Sequence, residues 1–499
     1  MDRDRGGGAA GDDVCKTQPP DPSSRPSWPN PREVRLMQSK KVSGNSVASV
    51  MPPPYPGEYP KIVVPPPGPK AKEWNVRDRA VVSQNLTPDY ELVTERACGM
   101  VVEDLDGNRF LDFAAGISTV STGHCHPEVV RAVQQQAERM LHICYTDFHY
   151  PAYIELCEML AKLAPMSGDN RVFLSNSGAE AVETAIKLAR TRTGRSKIIA
   201  FYGAFHGRTL GTLTLTASKP VQRRSFGPLL PDVLHTHYSY CYQCPVNRKP
   251  DSCDVQCLDL LTDSMFHHTV PPEEVAAVLV EPVQGEGGFI PPHPEFLRRL
   301  QALCREHGIL LIADEVQCGM GRTGKLFASE HFGLDPDIVI LAKGIASVMP
   351  ISAVIARDEV MKWNDGSHGS TFGGNPLSCQ AALATLRLLQ GGLTENAGRV
   401  GSRLIEKLSE LKDKHSLHGD VRGLGLMIGL EIVVDRDTRE PAPKERERIV
   451  RRAFEKGLLT LPCGKSTVRL SPPLICTDSD ADKAVSILDE VMAEISATS

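Results

Sequence analysis

The chain has 499 residues, with 56 Lys and Arg against 61 Asp and Glu, a net charge of −5 and 41% apolar residues. That length exceeds what one hydrophobic core usually supports, so two domains are expected. The small charge gives no electrostatic footprint for nucleic acid or an acidic membrane, and no run of 18 apolar residues is present to span a bilayer.

The start, Met1-Asp-Arg-Asp-Arg-Gly-Gly-Gly, carries acids where a transit peptide avoids them and lacks the apolar core of a secretion signal, so a cytoplasmic location is expected. Residues 1–57 are rich in Pro, Gly and Ser (Gln18-Pro-Pro-Asp-Pro, Val50-Met-Pro-Pro-Pro-Tyr-Pro) and predict a disordered tail, with Met37 and Met51 as alternative starts. Residues 58–130 contain a hairpin signal around Asp106-Gly107 and are expected to join the smaller domain. Within them His124-Cys125-His126-Pro127 reads as a structural turn rather than a metal site.

Residues 131–376 form the expected large domain. Strands are predicted at Arg171–Leu174, Lys197–Phe201 and Val275–Val280, with two further apolar runs ending in Asp314-Glu-Val316 and Lys343-Gly344. A helix with Val182, Ala185, Ile186 and Ala189 on one stripe follows the first strand, and another spans Phe296 to Arg305. Such alternation predicts an α/β fold with a mostly parallel central sheet covered by helices. Residues 377–499 change texture: helices at Cys379–Leu389 and Ala397–Leu411, strands at Gly425–Val434 and Thr467–Leu470, and a final helix with Ala484, Ile487, Leu488, Val491 and Ile495 on one face. They read as a smaller α+β domain.

In an open α/β sheet, groups at the carboxyl ends of the strands point into the ligand crevice. A lysine and an aspartate delivered there suit pyridoxal 5'-phosphate: the Lys343 amine forms a Schiff base with the aldehyde, and Asp314 keeps the pyridine nitrogen protonated. The plainer alternative is a snorkelling lysine and a helix-capping aspartate. Other strand ends carry compatible groups. Ser177-Gly178-Ala179 opens a helix whose N–H groups suit a phosphate, or merely cap the helix. Tyr202-Gly-Ala-Phe205-His206-Gly-Arg208 offers an aromatic ring to stack on a flat cofactor and an arginine to fork a carboxylate. Glu281 and Glu286 lie at another strand end, Val316 and Gln317 suit the ring face and its hydroxyl, and Thr371 offers a second phosphate hydroxyl.

Of fourteen cysteines, Cys241, Cys244, Cys253 and Cys257 share a polar loop, with a spacing open to a metal, to two disulfides or to neither.

Taken together, Ser177-Gly-Ala-Glu180, Gly203-Ala-Phe-His-Gly-Arg208, Glu281-Pro-Val-Gln-Gly-Glu-Gly-Gly288, Leu311-Ile-Ala-Asp-Glu-Val-Gln317, Gly321-Arg-Thr-Gly324 and Lys343 resemble class III pyridoxal-phosphate aminotransferases, from about residue 60 to the C-terminus. Within that family, Gly116-Ile117, Arg208, Glu286, Arg469 and Gly419–Gly425 look most like bacterial 4-aminobutyrate aminotransferase. The resemblance implies fold type I, a homodimer or dimer of dimers, and ping-pong transfer from a small amino donor to a 2-oxo acid such as 2-oxoglutarate. It implies that Lys343 and Asp314 are catalytic. Ser177, Gly178, Ala179, Phe205, His206, Glu281, Val316 and Gln317 would bind cofactor with them, and Thr371 would reach the phosphate of the neighbouring subunit. Ile117, Arg208, Glu286 and Arg469 would bind substrate, Glu286 neutralising Arg469 when a substrate lacks the second carboxylate.

Two departures qualify the substrate. Ala346-Ser347-Val348-Met349-Pro350 stands where the family commonly has a Gly-Gly pair, and the cysteine loop with Pro66-Pro-Gly-Pro-Lys-Ala-Lys72 looks like a branch that transaminates ornithine, acetylornithine or lysine, or racemises amino acids. A racemase needs a second acid–base group, for which Glu286, His206 and Tyr202 are candidates. Gly319-Met-Gly321-Arg-Thr-Gly324 also fits a dinucleotide fingerprint, but no acid ends the following strand as a ribose contact requires.

Overall fold

The structure, a computed structural model, describes residues 50–52 and 55–497. Most of the expected tail therefore lies outside the described residues. At its C-terminal end Val50 is buried in the core and the Tyr55 hydroxyl donates to Glu103 at 2.7 Å.

In chain order, helix α1 (Pro69–Val81) precedes strands β1 (Thr94–Cys98), β2 (Val101–Asp104) and β3 (Arg109–Asp112) and helices α2 (Pro127–Arg139) and α3 (Pro151–Leu163). The middle of the chain supplies β4 (Asn170–Ser175), α4 (Gly178–Thr193), β5 (Lys197–Phe201), α5 (Leu210–Leu215), β6 (Val233–Thr236) and β7 (Val275–Val280). It continues with α6 (Phe296–Glu306), β8 (Leu310–Asp314), β9 (Ile338–Leu341) and β10 (Ser352–Arg357). Then come α7 (Pro376–Leu388), α8 (Thr394–Glu410), β11 (His418–Leu424), β12 (Met427–Asp435), β13 (Glu440–Pro441) and α9 (Pro443–Glu455). Last are β14 (Leu458–Leu459), β15 (Leu461–Cys463), β16 (Thr467–Leu470) and α10 (Asp478–Ser496).

Seven strands make the central sheet in the order β4-β10-β9-β8-β7-β5-β6. Strands β5 to β9 pair in parallel, whereas β10 runs antiparallel between β9 and β4. Their side chains alternate between two apolar layers. Ile199, Phe201, Val278 and Leu311 pack with Phe296, Leu297 and Leu300 of α6. Ile198, Ala200, Leu279 and Ile312 pack with Val182, Ala185 and Ala189 of α4 on the other face. Burial on both faces explains the near-continuous apolar runs in these strands.

A second sheet joins β1, β2, β3 and β14, so the N-terminal hairpin pairs with a strand more than 340 residues away: Leu458 lies against Leu111. The β2–β3 turn is held by Asp104 Oδ1, which accepts from the N–H groups of Asp106 and Asn108 at 3.0 and 2.8 Å. A third sheet joins β11, β12, β16 and β15, with β13 beside β12. No helix among the described residues is long and apolar enough to cross a membrane.

One local feature breaks ordinary backbone preferences. Ala115, Gly116, Ile117 and Ser118 have φ of +46°, +59°, +65° and +62°, a complete turn in the left-handed region. Asp112 Oδ1 secures its start, accepting from the N–H groups of Ala114 and Ala115, both at 2.8 Å.

Candidate active site

The carboxyl ends of β4, β7, β8 and β9 open into one cavity of about 380 Å³. Each strand delivers a different group, because each apolar run ends where the sheet stops shielding it. Past β4, the N-terminus of α4 faces the cavity with Ser177, Gly178 and Ala179. Here Ser177 Oγ accepts from the N–H of Glu180 at 3.3 Å while Glu180 accepts from the N–H of Ser177 at 3.2 Å. This reciprocal cap leaves the N–H groups of Gly178 and Ala179, which have no carbonyl in a preceding turn, for a ligand. A Cβ on Gly178 would meet Val316 Cγ1 at 3.1 Å, so glycine keeps a slot open between α4 and Val316.

Asp314, at the end of β8, is buried. Its Oδ2 accepts from His206 Nδ1 at 2.7 Å and its Oδ1 from the N–H of Val316 at 3.0 Å. Burial opposes charging of His206, yet the hydrogen bond and charge of Asp314, with the charge of Glu281, hold its pKa above the ordinary value. The other ring nitrogen, Nε2, is buried without a hydrogen-bond partner. Glu281, past β7, accepts from the N–H groups of Gly285 and Phe205 at 3.1 and 3.3 Å. Its own burial pushes its pKa up to about 7, with Asp314 adding to the rise and His206 opposing it.

Lys343 follows β9 with φ of +45° and lines the same cavity, partly buried. Burial lowers its pKa, against the opposing charge of Asp314; Arg469 lowers it further, and Glu281 and Glu286 raise it. Gln317 is buried at the wall, its Nε2 donating to Ser118 Oγ at 3.5 Å. Arg208 lines the cavity from an exposed position, its guanidinium 5.6 Å from the centre of the Phe205 ring.

Besides Tyr202, which is 51% exposed, four residues singled out in the sequence do not line the cavity. Glu286 and Arg469 form an ion pair, Arg469 Nη1 to Glu286 Oε2 at 3.1 Å, close enough that both charges act on the Lys343 amine. Arg469 is fixed by β16, which pairs with β12 and β15 through that residue. Ile117 is 47% exposed on the left-handed turn, and Thr371 is exposed on the loop before α7. A further residue was missed: Lys219 Nζ holds the other Glu286 oxygen, Oε1, at 2.7 Å. It sits in a loop with no periodic signal and meets its partner only through the fold. Thr119 and Ile351 also line the cavity without having been singled out, and Val348, Met349 and Pro350, the segment whose departure bears on the substrate, line it beside them.

The remaining sequence motifs have structural roles. His126 Nδ1 accepts from the N–H of Glu128 at 3.3 Å, capping α2, and His124 Nε2 donates to Asp112 at 2.8 Å. Gly324 packs where a side chain would meet the Gly398 Cα at 2.7 Å, so the glycine-rich motif serves close backbone packing. Cys241, Cys244, Cys253 and Cys257 are free thiols around one narrow pocket. Among the described residues no group of three or more His, Cys, Asp or Glu is arranged to hold a metal ion.

Comparison with known proteins places the chain among relatives. The family model described as aminotransferase class-III matches residues 82–492. An alanine/serine racemase of Pyrococcus horikoshii is 41% identical over 445 residues, covering 88% of this chain and 93% of that protein. A probable 4-aminobutyrate aminotransferase of Bacillus subtilis is 40% identical, covering 84% of this chain and 96% of that one. The fold matches an amine transaminase from an uncultivated Pseudomonas species, solved in its PLP-bound form, with a TM-score of 0.77 and 32% identity over 83% of this chain and 98% of that one.

Proposed function

The chain belongs to the class-III aminotransferases, and from that premise we propose that it moves the amino group of an ω-amino acid of the 4-aminobutyrate type to 2-oxoglutarate in a ping-pong reaction. The family's cofactor is pyridoxal phosphate, and the cavity fits it: the slot beside Gly178, the buried carboxylate of Asp314 and the amine of Lys343 all line it. When bound, the cofactor supplies an aldehyde that exchanges amines and a ring that withdraws electrons from the substrate carbon. On this reading Lys343 would hold the aldehyde carbon, Asp314 the ring nitrogen, Val316 the ring face and Gln317 the ring hydroxyl. The N–H groups of α4 with Ser177 would take the phosphate, joined by Thr371 of a second copy. Phe205, His206 and Glu281 would support the ring and Asp314.

The chain's own residues then divide the work. Arg208, exposed at the cavity, grips the carboxylate remote from the reacting amine. Lys343 has a lowered affinity for protons, so at a given pH more of it is neutral than of an exposed lysine, and it takes a proton from the substrate carbon and returns it. His206 orients Asp314 through the hydrogen bond from its Nδ1.

The observation that carries the substrate reading is the ion chain Lys219–Glu286–Arg469. A ping-pong enzyme must accept a donor with one carboxylate and an acceptor with two. Arg469 suits the second carboxylate, and Glu286 neutralises it when that carboxylate is missing, avoiding an unpaired buried charge. Lys219 gives Glu286 a cation to turn to when the dicarboxylate displaces it.

A test is a donor panel with 2-oxoglutarate and pyruvate as acceptors, run on wild type and Arg208→Ala. The variant should raise KM for 4-aminobutyrate roughly 10- to 100-fold, the worth of a charge-assisted pair, with little change for butylamine. Equal effects on both amines would place the carboxylate elsewhere. The racemase relative supports a second reading, racemisation of an amino acid, which needs an acid–base group on the face opposite Lys343. Loss of optical rotation from a single amino-acid enantiomer, without a 2-oxo acid present, would establish it.

A further inference from the structure

We propose that Val348 sets the width of the amine that reaches Lys343, its isopropyl group held across the cavity mouth by a strained and pinned backbone. The inference rests on the reading above only in taking this cavity as the place where amines are exchanged. Val348 lines the cavity and is nevertheless 56% exposed, so it stands where the cavity meets solvent. Its φ is +102°, a region that β-branched residues rarely adopt.

The loop around it has little freedom to relax. Ser347, itself at φ +44°, is buried, and its Oγ accepts from the N–H of Thr122 at 2.9 Å and lies 2.6 Å from Thr122 Oγ. Upstream, a side chain on Gly344 would meet Ser121 Oγ at 2.4 Å, so that segment is packed tight. Downstream, Ile351 is buried and Ser352 enters β10 opposite Ser175.

Pinned on both sides, residue 348 has a fixed Cα–Cβ direction, and branching at Cβ restricts χ1 further. The side chain therefore cannot swing aside as an unbranched one would. Glycine would adopt this backbone without steric cost and leave the mouth open; the family resemblance leads to a glycine pair in this segment, where the chain has Ser347-Val348-Met349-Pro350. Slim, unbranched amines pass Val348, and wide ones meet it.

The test uses the holoenzyme and the variants V348G, V348A and V348F, titrated with butylamine and with cyclohexylamine. Binding is read from the visible absorbance of the bound cofactor, and the melting temperature of each cofactor-free chain is measured separately. V348G should tighten cyclohexylamine relative to butylamine by at least roughly tenfold, V348A by less, and V348F should move the ratio the other way. V348G should melt at or above wild type because the strain is gone. A V348G ratio within about twofold of wild type overturns the proposal, and a lowered melting temperature overturns the pinned backbone on which it stands. Neither amine carries a carboxylate, so failure of the 4-aminobutyrate reading in the Arg208 test leaves this outcome independent.

Discussion

Buried carboxylates make the site's surroundings sensitive to pH, and Glu315 shows the effect apart from the groups assigned to catalysis. Its oxygens accept from the N–H groups of Ala328 and Ser329 at 2.6 and 2.9 Å, yet burial outweighs these bonds and pushes its pKa up to about 7 from the ordinary 4.5. The folded state then holds a proton that the unfolded chain has lost. Stability from this group is complete below about pH 4.5 and disappears as pH rises through about 7, a difference on the order of 3 kcal/mol. This group therefore lowers thermal stability as pH rises from about 5 to 8, against His418, whose burial lowers its pKa to about 4 and which favours the folded state as pH rises. Glu315→Gln cannot ionise and should remove this group's share of the pH slope, leaving the shares of Glu281, also raised to about 7, and of His206, whose pKa is raised too. Melting curves at several pH values decide it, and parallel slopes in both proteins would rule out Glu315 as the source. At this scale Asp314 and Lys343 were readable because each closes a run of apolar residues and has nowhere to point but the strand end. Lys219 was not, since its partner Glu286 lies 67 positions away and only the fold brings them together.

Among the elements, the parallel strands were legible for the same reason that they are buried: Lys197–Phe201 and Val275–Val280 are apolar on both faces. The direction of β10 was not, because Ser352-Ala-Val-Ile-Ala-Arg357 reads alike whether it runs with or against its neighbours. Nor was the left-handed turn at residues 115–118, since of its four residues only Gly116 prefers that backbone. Each non-glycine residue held there costs about 1–2 kcal/mol. Ile117 is exposed enough that little packing is lost on removing its side chain, and Asp112 holds the turn from its start. Ile117→Gly should then leave the melting temperature equal or higher, since relief of the turn exceeds the roughly 0.5–1 kcal/mol of flexibility that glycine adds to the unfolded chain. The control is Val130→Gly, the fourth residue of α2 and at a similarly exposed site, which should lower it by the usual helical glycine penalty of about 1 kcal/mol. Equal losses in both variants would show that the turn stores no strain.

At the scale of the whole molecule, Thr371 does not line its own chain's cavity; it is exposed, next to the likewise exposed Phe372. An exposed hydroxyl beside a large apolar side chain, on a chain whose proposed phosphate turn comes from α4, is the arrangement expected if each proposed site is completed by a second copy with two-fold symmetry. That assembly has a consequence that a self-sufficient monomer cannot imitate. Lys343→Ala removes the amine from a chain's own cavity, and Thr371→Ala removes the hydroxyl that the same chain lends to the other. Mixed and allowed to re-associate in equal amounts, half of the dimers contain one chain of each kind. In such a dimer, one site has both substitutions and the other has neither. Sites with neither substitution should thus contribute about a quarter of wild-type activity on mixing, above the mean of the two separate variants, with a rate of recovery that follows subunit exchange. No gain over the separate variants, under conditions where labelled subunits demonstrably exchange, would mean that each cavity works with its own residues and that the exposed Thr371 serves something else.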